Sequence, residues 1–198
     1  GWTKFTPSTY LGTARRMHDW VTDAGNRYVG LGTNLKLYVS LGDSFYDITP
    51  TRTTITLGTD KIAAVDGTAV VTVDTTSSHG AVKGDYVIIA GATATAGIGT
   101  GSLNTTHRIV ALDDPDGDDS GTMFRVVCSA KATSTASGGG SSVTAAFQIN
   151  TGLNEYVQGS GWGADGWGFG TWGSSATIGQ SMQLRLWSLA NFGDDMLA

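Results

Sequence analysis

Charge is scarce in this 198-residue chain: Asp, Glu, Lys and Arg make up 15% of it, against roughly a quarter in ordinary soluble domains. The 12 basic and 17 acidic residues leave a net charge of -5. Without a basic surplus, nucleic-acid binding is excluded as the main business of the chain. Cysteine is almost missing. Cys128 stands alone, so there is no internal disulfide and no cysteine-based metal site. It ends the apolar run Phe124-Arg-Val-Val-Cys128 and is expected to be a small core residue rather than a reactive thiol. No apolar stretch approaches the ~18 residues of a membrane-spanning helix. The start, Gly1-Trp2-Thr3-Lys4, does not resemble a secretory leader, and a beginning without Met reads as a processed or excised piece.

Catalytic and cofactor signatures are missing too. His18, His79 and His107 fit none of the short spacings that hold a metal, and structural roles are expected for them. No serine lies in a GxSxG elbow, no acid–base pair stands out, and there is no P-loop or dinucleotide fingerprint. The expectation is a protein that is not an enzyme and carries no cofactor. Asn104-Thr-Thr106 matches a glycosylation sequon, a triplet that also arises by chance. The sharpest metal candidates are Asp114, Asp116 and Asp118, which alternate within Asp113-Asp-Pro-Asp-Gly-Asp-Asp119 as the oxygen ligands of calcium loops do. Counted from Asp114, however, position six is Asp119 and position twelve is Arg125, where an EF-hand needs Gly and a bidentate Glu. A solvated hairpin turn, with Asp and Gly supplying turn geometry, is the favoured reading.

What the chain has in plenty is glycine, 29 residues, about twice the usual share, together with Thr, Ala and Ser. That mixture suits short strands and many tight turns. Residues 11–21 are expected to form a short helical turn. Three strands follow at Arg27–Leu31, Lys36–Val39 and Ser44–Ile48, separated by Gly32-Thr-Asn34 and Leu41-Gly-Asp43, which are turn-forming sequences. An antiparallel meander of this kind builds propeller blades and small sandwiches. After Arg52 aromatics thin out, and apolar runs at 69–73, 86–89, 107–112, 123–128 and 143–149 predict strands of a compact β-sandwich or barrel. The polar stretch Thr133–Ser142 reads as a flexible loop or hairpin tip. Near the end, Gln183-Leu-Arg-Leu-Trp187 alternates as a half-buried strand, and 191–198 shows no closing signal.

The fold class expected is therefore all-β. A host domain, an antiparallel meander resembling part of a β-propeller or a sandwich, occupies residues 1–52 and 150–198. A small β-sandwich or barrel at 53–149 is inserted into it. Open edges in so small a host are a liability for a free monomer, so pairing with further chain or with neighbouring subunits is expected.

One segment of the host stands apart. In GSGWGADGWGFGTWGSS (Gly159–Ser175), Trp162, Trp167 and Trp172 recur every five residues, neither the strand period of two nor the helical 3.6. Exposed, these indoles would stack on sugar rings. Buried, they would pin an irregular segment that glycines allow to pass close to its neighbours. The anchored connection is the favoured reading, and these three are the interaction candidates.

Four segments together carry a family resemblance. AGNRYVGLGTNLKLYV (Ala24–Val39) with FYDITPTR (Phe45–Arg52), then the Gly/Trp run, then LRLWS (Leu184–Ser188) and NFGDDML (Asn191–Leu197) resemble, in order and spacing, the beginning of large virion proteins of tailed phages. The segment HGAVKGDYVIIAGA (His79–Ala92) looks like an all-β module that recurs as an insertion in phage structural proteins. The resemblance implies a tail component, the tubular or nozzle protein of a short-tailed phage, located in the virion. Its implied partners are copies of itself in a ring and other tail or connector proteins, with non-specific contact to DNA in transit. The runner-up is a carbohydrate-binding or host-adhesion module at the tail surface.

Overall fold

The computed structural model describes residues 8–42, 44–112, 121–150 and 186–198. It is antiparallel β throughout apart from one helical turn. Two compact units are distinguished, Gly1–Thr49 with Thr151–Ala198, and Pro50–Asn150. They are called here the flanking and the central unit, after their places in the sequence.

The flanking unit begins with β1 (Ala14–Val21), β2 (Arg27–Thr33), β3 (Leu37–Leu41) and β4 (Ser44–Asp47), a meander in the order β1-β2-β3-β4. The helical turn expected at residues 11–21 is not formed. Residues 14–21 instead pair along β2 from Ala14↔Thr33 to Val21↔Arg27, and that ladder satisfies their backbone groups while burying Trp20 on one face. The β1–β2 turn closes with Gly25 N–H on Thr22 O at 2.8 Å, Gly25 taking φ +81°. The β2–β3 turn is organised by Thr33, whose Oγ1 accepts the Leu35 and Lys36 amides at 3.1 and 2.8 Å. Lys36 is almost wholly buried, and its Nζ lies 2.7 Å from Asp47 Oδ2. Burial by itself would raise the Asp47 carboxyl, but hydrogen bonds from Lys36 and Thr49 outweigh it and hold the carboxyl below its ordinary 3.8.

The central unit contains β5 (Thr51–Thr56), β6 (Ile62–Ala64), β7 (Val70–Asp74), β8 (Tyr86–Ala90), α1 (Thr100–Leu103), β9 (Thr106–Leu112), β10 (Met123–Val127), β11 (Ala136–Gly138) and β12 (Thr144–Gln148). The strands form one eight-stranded sheet, β11-β6-β7-β10-β9-β8-β12-β5, so the unit is a curled half-barrel and not a pair of stacked sheets. Alternation along the strands sends one face inward: Val71 and Val73, Val87 and Ile89, Phe124 and Val126, Ala145 and Phe147 are all buried in one cluster. Each large side chain in that cluster contributes about 1.5–3 kcal/mol of burial. Thr133–Ser142, expected as a loop too polar to pack, contains β11, which pairs with β6 from Ala136↔Ala64 to Gly138↔Ile62. A backbone ladder does not require apolar side chains, and sequence polarity therefore hid the strand. Cys128 is buried at the end of β10, and burial raises its thiol above the usual range, so it is an inert core residue. His107 is also buried, with Nε2 2.9 Å from Leu103 O.

The chain comes into this unit and leaves it on adjacent strands. β5 and β12 pair, and the Ile149 N–H meets Pro50 O at 2.9 Å. Beside them Asp85, nearly buried, accepts hydrogen bonds from Asn150 Nδ2 at 3.0 Å and from Val82 N–H at 3.1 Å, with Arg52 at 3.9 Å.

Back in the flanking unit, the strand expected at Gln183–Trp187 is not seen in its described part: Leu186 and Trp187 are irregular, and Gln183–Arg185 lie outside the described residues. The end of the sequence is closed by a hairpin, β13 (Ala190–Phe192) with β14 (Asp195–Leu197). Gly193 at its tip takes φ +59°, a conformation glycine adopts without the cost other residues incur.

Candidate interaction site

The sequence VGLGT in β2 explains the main surface feature of the flanking unit. Strand alternation puts Tyr28, Gly30 and Gly32 on one face, opposite His18 and Trp20 of β1 and opposite Leu37, Val39 and Leu41 of β3. The two glycines leave a trough in that face. A Cβ at Gly32 would run into the Trp187 ring, and one at Gly30 into the Met196 sulfur. The segment 186–197 therefore lies in the trough, held by Trp187 Nε1 donating to Thr33 O at 2.7 Å. Leu189 is buried there.

Next to the trough, rings stack along and across strands. Trp20 lies on Tyr28 (centroids 5.4 Å apart, 20° between planes) and His18 on Trp20 (6.2 Å, 15°). The hairpin turn ties down this ladder. Trp20 Nε1 donates to Asp194 O at 3.1 Å, the Asp194 carboxylate accepts the Asp23 N–H at 2.8 Å, and His18 Nε2 lies 3.2 Å from Asn191 Oδ1. The part of the face that the hairpin leaves uncovered is an open cleft of about 540 Å³. Tyr28, Val39, Ile48 and Met196 supply its apolar wall, and Asn26, Asp194 and Asp195 its exposed polar rim. A half-buried aromatic beside the exposed Asn26 amide and Asp195 carboxylate can take a ligand or a neighbouring chain that has both apolar and hydrogen-bonding surface.

Apolar side chains are also exposed elsewhere on this unit. Met17 and Val21 project from β1, Tyr46 from β4, and Phe192 is 78% exposed at the hairpin. By contrast, Tyr10, Tyr38 and Phe45 form a cluster on the opposite face of the meander.

Trp162, Trp167 and Trp172, and likewise Asp114, Asp116 and Asp118, lie outside the described residues. Among the described residues no group of three His, Cys, Asp or Glu side chains is placed to hold a metal, and no helix is long and apolar enough to cross a membrane. The cleft itself escaped sequence reasoning. Its one sequence signal was the alternation of glycine in Val29-Gly-Leu-Gly-Thr33, which marks close approach of another segment without naming it.

No family model matches the chain, and no curated protein matches it. Among solved structures it is similar to part of a Phage phi92 endosialidase, with 14% identity and a TM-score of 0.39 over 68% of this chain and 19% of that one. A superposition this loose defines neither a shared fold nor a shared activity.

Proposed function

We propose that the chain is a structural component of a bacteriophage tail, of the tubular or nozzle kind, that assembles with copies of itself into a ring around the DNA exit channel. One observation carries the reading. The flanking unit is an open four-stranded meander whose edge strands β1 and β4 pair with no further strand among the described residues, and whose exposed side chains include Met17, Val21, Tyr46 and Phe192. Such a sheet gains by adding strands or covering its face with another chain. Copies placed around a cyclic axis do both with one repeated contact. Arg15, Arg16 and Asp19 on β1 restrain unscheduled pairing at that edge, and the acidic balance of the chain disfavours sticking to passing DNA. The four-segment sequence resemblance supports the same assignment. Mass measurement and negative-stain imaging under virion-like conditions test it: rings of fixed copy number are expected, and stable monomers at every concentration would sink the idea.

The cleft beside Tyr28 favours a second reading, a host-adhesion module that binds carbohydrate. Tyr28 would pack against a sugar ring while Asn26 and Asp195 take its hydroxyls. Under this reading, binding on a glycan array is lost on Tyr28→Ala with the fold intact, or on replacing Trp162, Trp167 and Trp172 with Ala. An array without signal for the parent chain removes it.

A further inference from the structure

The central unit holds a buried titratable group that assembly does not explain. His79 is 2% exposed. Its ring stacks on Phe147, with centroids 5.2 Å apart and planes at 17°, and meets Phe124 edge-on at 5.4 Å and 88°. Nδ1 accepts the Ala81 N–H at 2.9 Å, which assigns the neutral ring's proton to Nε2. Among the described residues Nε2 has no hydrogen-bond partner, an uncommon condition for a buried polar atom.

Among the described residues few charges face the ring. Arg52 comes from β5, its guanidinium carbon 5.6 Å from the Phe147 centroid, and Asp85 lies 3.9 Å from Arg52. Among the described residues the ring also meets the Phe124 and Phe147 rings and the backbone of Ala81 and Met123. Arg108 on β9 and Arg125 on β10 occupy exposed positions. Burial is the largest influence and disfavours the charged ring. The Met123 backbone and the Asp85 carboxylate favour the charge, whereas Arg52 opposes it. The balance leaves the ring below its ordinary 6.5.

Protonation here has a definite structural consequence. The added proton goes to Nδ1, the atom that accepts the Ala81 N–H, so that bond is lost and two N–H groups face each other among phenyl rings. The segment that carries His79 is already strained, because Thr76 sits at φ +57°, a region costly for a β-branched residue. It is tied down by Thr75, whose N–H and hydroxyl both reach Thr122 O at 2.8 and 2.7 Å, and by the His79 N–H on Gly121 O at 3.0 Å. Arg52 and Phe147, which pack by the ring, belong to β5 and β12, the strands on which the chain comes in and goes out.

We propose that His79 is an acid-sensitive latch at the neck of the central unit: on protonation its ring leaves Phe124 and Phe147, and residues 75–81 open beside the strands that carry the chain into and out of the unit. The histidine ring resonances and the amide exchange of residues 75–82, followed by NMR in the whole chain from pH 7.5 to 5 and corrected for intrinsic exchange, test this. The His79 ring is expected to stay neutral until below pH 6.5. As pH falls from 6.5 to its titration point, the closed state loses up to about tenfold in population ratio per pH unit. His79→Leu removes this acid step, while His18→Gln on the flanking unit keeps it. Titration of His79 at or above 6.5, pH-independent opening of 75–82, or an acid step of full size in His79→Leu would each overturn the latch. Should His79→Leu fail to fold, the titration and exchange of the parent chain decide alone.

Discussion

The central unit closes a sheet over Ile62, Val71, Val73, Val87, Phe124, Val126 and Phe147, each with essentially no exposed surface. The flanking unit buries Trp20, Leu31, Leu37, Tyr38 and Leu189 but leaves Met17, Val21, Tyr46 and Phe192 in solvent. Both are antiparallel sheets of short strands with glycine at the turns. What separates them is closure. An eight-stranded sheet can curl until one face is wholly interior, whereas four strands cannot. The small sheet must instead borrow a cover from elsewhere in the chain. The hairpin at 190–197 is part of that cover, and it leaves the cleft beside Tyr28 open. Among the described residues, then, the central sheet covers one face by its own curl, whereas the flanking sheet keeps apolar side chains exposed.

The contrast can be broken most severely from the central side. Phe124→Ala removes a ring with no exposed surface that touches both His79 and Phe147, and a loss of about 3–5 kcal/mol is expected. Chemical denaturation should show the central unit unfolding earlier while Trp20 and Trp187 fluorescence, which reports the flanking unit, keeps its own transition. A single merged transition would show that the units are not independent.

In the flanking unit the trough is the weak point. Gly32→Ala forces a methyl against the Trp187 ring, and an overpacking cost of about 1–3 kcal/mol is expected, with release of Trp187 to solvent read as a red-shifted emission. Asp47→Asn leaves the buried Lys36 ammonium facing a neutral amide, a loss of about 2 kcal/mol because a charged hydrogen bond is weakened. The sign with pH follows from the lowered Asp47 carboxyl. Its contribution is complete above the unfolded value near 3.8 and fades as pH falls through the lower folded value. Parent and variant should therefore converge in stability in strong acid, and curves that stay separated by a constant gap would show that the loss does not come from the ionised carboxylate. The smallest effect belongs to Gly25→Ala. Among the described residues nothing lies within 4 Å of the new methyl, so the φ of +81° sets the cost, about 1 kcal/mol, with no change in Trp fluorescence.

Strands were legible where apolar and β-branched residues alternate over a buried face, as in Val70–Asp74, Tyr86–Ala90 and Met123–Val127. They were hidden where the ladder is made by residues of no distinct character. β5 and β11 are Thr-, Ser-, Ala- and Gly-rich pieces at the edges of the sheet, and β1 carries Arg15, Arg16, His18 and Asp19, since most of an edge strand faces water. The short hairpin 190–197 was missed because each of its strands has three residues, nearly all of them exposed, which leaves no periodic signal. The candidate site was less legible still. Gly30 and Gly32 announce a close neighbour, but that neighbour is more than 150 residues away along the chain at Trp187.

By itself the sequence determined the class of the protein. Its glycine, threonine and β-branched content at turn-punctuated spacing admits short antiparallel strands and little else, because local backbone and side-chain preferences act within a few residues. Only the tertiary structure decided which faces are covered and which groups are left without partners. The trough filled by Trp187, the Asp47 carboxylate on a buried Lys36, and a histidine buried against two phenylalanines all depend on contacts between distant segments. Burial and hydrogen bonding at such places are properties of the assembled fold, and no window of neighbouring residues contains them.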